Sequence, residues 1–229
     1  MFFDLSRKKA ESQRPVKSPG KILRAIGTAA LIAVSFTLLA GHYSAGVASL
    51  DDGAMAMTQG LVRRSLQILR DTNAPVAQRR RDLRAVLEGH FDFAEMSRSA
   101  LGYHWRTLTP EQRDAFTSLF KAFIEDAYLS KIQDYSGQQV RVLGQTPLGQ
   151  SYTQINTEIV QPGKSPIAVN YLLLQKDGTW KIYDVTVDAI SIIANYRNPF
   201  NRVINEKGFG QLMADLQAKQ QELASLLGS

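Results

Sequence analysis

The chain is 229 residues long, carries a formal charge of +6 and contains no cysteine. Residues 1–48 hold seven basic and two acidic residues, leaving 20 basic and 19 acidic beyond them. The basic excess thus belongs to the N-terminal segment, which removes the main argument for nucleic-acid binding, and the lack of cysteine excludes a thiol site or a disulfide framework.

That segment reads as an export signal. A basic stretch precedes an apolar run, Ala25 to Ala40, and then small residues. Gly46-Val47-Ala48 suits a signal peptidase, so residues 1–48 are expected to be a signal peptide cleaved after Ala48. The alternative is an uncleaved anchor in the inner membrane. The apolar run is about 16 residues, short of the ~20 that a spanning helix needs. Either way residues 49–229 lie outside the cytoplasm, in the periplasm. They form one expected domain, since about 180 residues suffice for one sizeable core.

A first helix is expected from about Ala54 to Arg70, with Leu61, Ser65, Leu66 and Leu69 at helical spacing. Asn73-Ala74-Pro75 breaks it. A second, about Val76 to Glu88, sets Leu83, Val86 and Leu87 against the Arg79-Arg80-Arg81 run. That run reads as a solvated helix face, or as a contact for lipid phosphates or an acidic partner. A short helix follows at Phe93–Ser99. Thr109-Pro110-Glu111-Gln112 is a strong helix start, with a capping threonine, proline at the first helical position and Gln112 closing the box. This helix is expected to reach about Tyr135. Its stripe of Phe116, Leu119, Phe120, Phe123, Ile124, Ala127, Tyr128 and Ile132 is core, or the lining of a cavity.

From Gln139 the period changes to two. Strands are predicted at about 139–143, 151–161, 167–175 and 179–187, joined by short turns that make them antiparallel neighbours. In the last strand Tyr183, Val185 and Val187 alternate onto one face. Helical spacing resumes at Ile190, and closing helices are expected at about 189–206 and 210–227. The fold class is α+β: N- and C-terminal helices packed on a curved antiparallel sheet of about four strands.

The catalytic inventory is poor. After the leader only His90 and His104 remain, and no GxSxG, HExxH, P-loop or GxGxxG pattern occurs. Both histidines read as ordinary surface or capping residues. Asp184 is a carboxylate inside a strand. It reads as a structural hydrogen bond or an ion pair with Lys181 or Arg197; a pocket general base is the competing reading. Arg197, near the end of an apolar helix face, either holds an anionic headgroup or braces the strand–helix corner by pairing with Asp184 or Asp188.

Trp180-Lys181-Ile182-Tyr183-Asp184-Val185, Ser191, Asn195-Tyr196-Arg197 and Phe200 resemble the signature of the MlaC family of bacterial periplasmic lipid carriers, also called toluene-tolerance auxiliary proteins. A second block follows the family's order and spacing: Phe91-Asp92-Phe93, Ala100-Leu101-Gly102, Trp105-Arg106, Thr109-Pro110-Glu111-Gln112, Phe116 and Phe120. The resemblance covers roughly Leu61 to Leu216. Asp188-Ala189 stands where Glu-Gly is common, and Pro199 where a polar residue is frequent. Those departures suggest a divergent branch, with the hopanoid-associated HpnM-like branch favoured.

The resemblance implies a deep apolar cavity between sheet and helices, with a phospholipid or hopanoid-type lipid as cargo. It also implies an MCE-type inner-membrane ABC transporter complex and an outer-membrane lipoprotein complex as transfer partners. No cofactor or metal is expected, and a monomer is. Residues on inward apolar faces are nominated for lipid binding: Phe116, Phe120, Phe123, Tyr171, Leu173, Tyr183, Val185 and Ile192, with Arg197 for a headgroup. A carrier needs no acid/base residues and so is not an enzyme. The competing function is an enzyme on a cone-shaped α+β scaffold, acting on a small apolar substrate with Asp184 or a tyrosine as acid/base.

Overall fold

The computed structural model describes residues 52–130 and 134–228. The expected leader, its cleavage site and Ile132 lie outside the described residues. Helix α1 (Gly53–Arg70) buries Ala54, Thr58, Leu61, Val62 and Ile68, a face set by steps of three and four. Thr58 donates its hydroxyl to the Ala54 carbonyl at 2.9 Å, so its burial leaves no donor unmet. Helix α2 is Val76–His90. Asp92 caps α3 (Phe93–Leu101) by accepting from the Glu95 N–H at 3.0 Å. The same carboxylate pairs with Lys176 at 3.0 Å, which ties the start of α3 to the end of a strand. A 3₁₀ turn (Gly102–Thr107) leads into α4 (Pro110–Leu129). The predicted capping box forms, with Thr109 N–H donating to Gln112 at 2.9 Å and Gln112 N–H to Thr109 at 3.3 Å.

The sheet runs in sequence order: β1 (Gln139–Pro147), β2 (Tyr152–Val160), β3 (Ile167–Lys176), β4 (Thr179–Val187) and β5 (Ile190–Ser191), each antiparallel to its neighbour. Helices α5 (Ile192–Lys207) and α6 (Phe209–Gly228) close the chain. The fold is α+β as expected, but α4 ends at Leu129 rather than near Tyr135, and the sheet differs from expectation in two places. Ile190 and Ser191 do not open the closing helix but pair back onto Thr186 and Val187 as a fifth strand. And β4 carries a bulge, since Leu172 faces Asp184 while Leu173 faces Ile182. The extra residue breaks the expected alternation. Ile182 turns inward and is fully buried, whereas Tyr183 meets Tyr152 edge-on at 5.8 Å.

The β4–β5 link is a two-residue turn with Asp188 at φ 47° and Ala189 at φ 64°. Positive φ at both central residues is the hairpin geometry that matches strand twist, and it normally recruits glycine or asparagine. Asp188 is held there by accepting from the Ala168 N–H at 3.2 Å. Ala189 has no such compensation, and it sits where glycine is common in the sequence pattern noted above. Ala189→Gly is expected to stabilise the protein by about 1 kcal/mol, the strain released from a left-handed non-glycine residue. An unchanged denaturation midpoint would show that the turn is not strained.

The main core lies where α4 meets α5 and α6. Phe116 and Phe120 are completely buried and stack at 5.4 Å. Phe120 meets Tyr196 at 5.6 Å and Phe200 at 5.7 Å, both edge-on. A smaller cluster under the sheet joins Ala54 and Leu61 of α1 to Ile155, Leu173 and Ile182.

Candidate functional site

Between the N-terminal helices and the inner face of the sheet lies an apolar cavity of about 300 Å³. Strand register builds its floor. Tyr171 pairs with Val185 and Val169 with Val187, which sets four cavity residues side by side. Val140 of β1 faces Ile159 of β2 and extends that surface. Helix α1 supplies the opposite wall through Leu61, Val62, Leu66 and Leu69. Phe91, Phe93, Met96 and Ile192 contribute from the chain around α3 and the start of α5, while Ile124, Glu125 and Tyr128 come from α4. Valine is the commonest strand residue here. Its short branched side chain favours the strand yet does not reach across to fill the space.

Tyr171 lies deep in this space: its side chain keeps some uncovered surface, yet burial pushes its phenol up to about 12. The cavity is partly open to the surface and lined almost wholly by apolar atoms, so water held there finds few hydrogen-bond partners and an apolar guest is favoured over it.

Of the nominated residues, Tyr171, Val185 and Ile192 line the cavity. Phe116, Phe120 and Phe123 do not; they fill the interface of α4 with α5 and α6. Helix α4 presents Ile124, Glu125 and Tyr128 to the cavity instead. Leu173 is fully buried in the smaller cluster, and Tyr183 is turned away by the bulge. The nominated set contains no residue of the α1 wall and neither member of the pair Val169–Val187. A signal for that pair existed in the strand alternation, which places them on the face of Tyr171 and Val185.

Arg197 is exposed and donates its Nε to the Ser99 carbonyl at 2.8 Å, fastening α5 to the end of α3. It is a brace, but not through the ion pair expected with Asp184 or Asp188. Two of the three residues of the arginine run depart from a solvated face, while Arg81 stays exposed. Arg79 donates to the Leu69 carbonyl at 3.1 Å, and the buried Arg80 donates to that of Leu227. Both satisfy carbonyls at the C-terminal ends of helices, where positive charge is favourable. Arg84 binds Glu125 at 3.3 Å and also pairs with Asp126. Burial pushes the Glu125 carboxyl above its ordinary range, against the pull of Lys121 and Arg84.

Asp184 accepts from the Val185 N–H at 2.7 Å, the Ile193 N–H at 3.3 Å and the Ser191 hydroxyl. Ser191 in turn caps α5 by accepting from the Ala194 N–H at 2.9 Å. The carboxylate therefore organises the start of α5, and it is not among the residues lining the cavity. The expected partner Lys181 instead donates to the Gly89 carbonyl at 2.7 Å. Burial raises the Asp184 pKa, opposed by those three hydrogen bonds and the Arg197 charge. Asp184→Ala is expected to cost about 1–3 kcal/mol by orphaning its donors, and Asp184→Asn less, because the amide still accepts. A folded pKa above the unfolded one makes this group's contribution greatest at low pH and smaller as pH rises through the folded value. The asparagine variant should lose that component of the stability–pH curve in chemical denaturation. Equal stability of Ala and wild type would remove the capping role.

His90 Nδ1 lies 2.6 Å from the Val86 carbonyl, and the buried His104 packs on Tyr103 at 3.9 Å between ring centres. Burial pulls the His104 pKa down. Neither histidine lines the cavity. Among the described residues, no helix is long and apolar enough to cross a membrane.

A protein-family model described as "MlaC protein" matches residues 59–218. A curated relative, the intermembrane phospholipid transport system binding protein MlaC of Haemophilus influenzae, is 26% identical over 121 residues. That match spans 51% of this chain and 56% of the relative, little more than half its length. A phospholipid-binding protein from Ralstonia solanacearum, solved in complex with a phospholipid, superposes with a TM-score of 0.66 at 21% identity. The match covers 75% of this chain and 98% of that one, a likeness of fold.

Proposed function

Because this chain belongs to the MlaC protein family, we propose that it is a periplasmic lipid carrier, holding the apolar part of a phospholipid-class lipid in its cavity and passing it between membranes. The observation that carries this reading is the cavity itself: partly open, lined almost wholly by apolar surface, and so favourable to an apolar guest. Each CH₂ moved from water into it gains roughly 0.8 kcal/mol, so binding needs no reactive group. The phospholipid-related names and ligand of the relatives support the same class of cargo. A hopanoid-type lipid is the alternative cargo within this reading. An MCE-type ABC transporter complex in the inner membrane and a lipoprotein complex in the outer membrane are the proposed transfer partners. The chain acts as a monomer after export and removal of residues 1–48. The enzyme reading built on Asp184 would need it at the cavity, and that carboxylate is instead committed to three structural donors, while Glu125, the carboxylate that does line the cavity, is paired with Arg84.

The test is mass spectrometry of organic extracts from protein purified from the native periplasm. A lipid is expected at a fixed ratio to protein, and its mass identifies the class. Protein that stays lipid-free, and takes up none from phospholipid vesicles, would overturn the carrier reading. Intact-mass measurement on the same sample checks the removal of residues 1–48.

A further inference from the structure

The cavity wall carries two phenols that its apolar character does not explain. Tyr128 projects from α4 and Tyr171 from β3, and both line the cavity. Neither hydroxyl has a hydrogen-bond partner among the described residues. Tyr103 donates to Asn205 at 2.8 Å and Tyr135 to the Gln138 carbonyl at 3.2 Å, whereas the Tyr196 hydroxyl, in the aromatic core, is buried without a partner among the described residues. Burial pushes both cavity phenols well above the ordinary tyrosine range, so they stay neutral donors. Both oxygens keep surface open to the cavity, and a cargo presenting hydrocarbon alone would strip it of water and leave each hydroxyl unpaired, a cost that phenylalanine would avoid.

We infer that Tyr128 and Tyr171 form a polar subsite inside the cavity that donates hydrogen bonds to an oxygen of the cargo, either an ester carbonyl at the head of its acyl chains or a hydroxyl. This rests on the carrier reading and adds a selection rule to it. The cavity distinguishes lipids by an oxygen carried into the apolar region, beyond chain length and headgroup. Each bond would be made where water cannot compete, so its loss shows fully in affinity.

The experiment loads the full chain from vesicles holding equal amounts of dihexadecanoyl phosphatidylglycerol and its dihexadecyl ether analogue, which lacks both carbonyls. A parallel arm offers 1-hexadecanol against hexadecane. Bound lipid is quantified by mass spectrometry after re-isolation, for wild type, Tyr128→Phe, Tyr171→Phe and the double variant. The expected result is a wild-type preference of about ten-fold for the oxygen-bearing member, the size of one hydrogen bond, falling towards parity in the phenylalanine variants. Preference in the phospholipid arm assigns an ester carbonyl, and preference in the alcohol arm a hydroxyl. These variants keep ring and shape, and the ratio is read only on protein that retains lipid, so partial unfolding does not mimic the effect. Parity in both arms for wild type, or a preference that survives the double substitution, overturns the inference and leaves the carrier reading standing. Uptake of none of the four probes by wild type overturns both.

Discussion

Val185→Trp will strip the protein of most of its lipid while leaving it folded. Val185 stands on β4 beside Tyr171, on the cavity floor. An indole there enters open space, so the overpacking that costs about 1–3 kcal/mol in a filled core is largely avoided. The cargo loses the volume instead. Denying it only about 1.4 kcal/mol of burial lowers affinity ten-fold, and a tryptophan should deny several CH₂ equivalents. Lipid per folded molecule, from mass spectrometry alongside a melting curve, should fall at least about ten-fold with little change in midpoint. Undiminished lipid in folded Val185→Trp would place the cargo elsewhere. Leu173→Trp makes the contrast. Leu173 is completely buried against Ile155 and Ile182, so the same substitution there should destabilise the fold.

Phe120→Ala will produce the opposite pattern, with a large loss of stability and unchanged lipid per folded molecule. Phe120 is fully buried and touches the rings of Phe116, Phe123, Tyr196 and Phe200. Removing it forfeits the transfer energy of a ring and opens a hole bounded by side chains that cannot all collapse, about 3–5 kcal/mol. For a domain of this size the midpoint should fall by on the order of 10 °C. It should do so without touching the cavity, whose α4 wall is Ile124, Glu125 and Tyr128. If folded Phe120→Ala loses lipid in proportion to its lost stability, core and cavity are one cooperative unit rather than two separate spaces.

What was legible in the chain follows from local physics. The change of period at Gln139, the Thr109–Gln112 capping box and the Asp177-Gly178 turn each specify an element through the backbone and its nearest side chains, and each appears in the structure. Asp184 could be read as structural, because a carboxylate among strand neighbours needs partners wherever it lies. Its partners could not be read. Ser191 and the Ile193 N–H reach it only because β5 folds back before α5 begins.

The sequence by itself determined the order and type of the elements apart from β5, the α+β class and the family pattern, since these rest on spacing along one segment at a time. Tertiary structure alone decided which apolar face is core and which is cavity. A helical stripe sets the relative directions of side chains but not what stands opposite. Phe116, Phe120 and Phe123 meet aromatic side chains that fill their space, while Tyr128 on the same helix meets a gap. The bulge that turns Tyr183 away from Val185 arises from pairing with β3, a partner that periodicity within β4 does not contain. Arg79 and Arg80 become helix-end ligands only once the ends of α1 and α6 are brought to them. In each case the deciding contact is between residues of different elements, and its energy is set by what occupies the space between them.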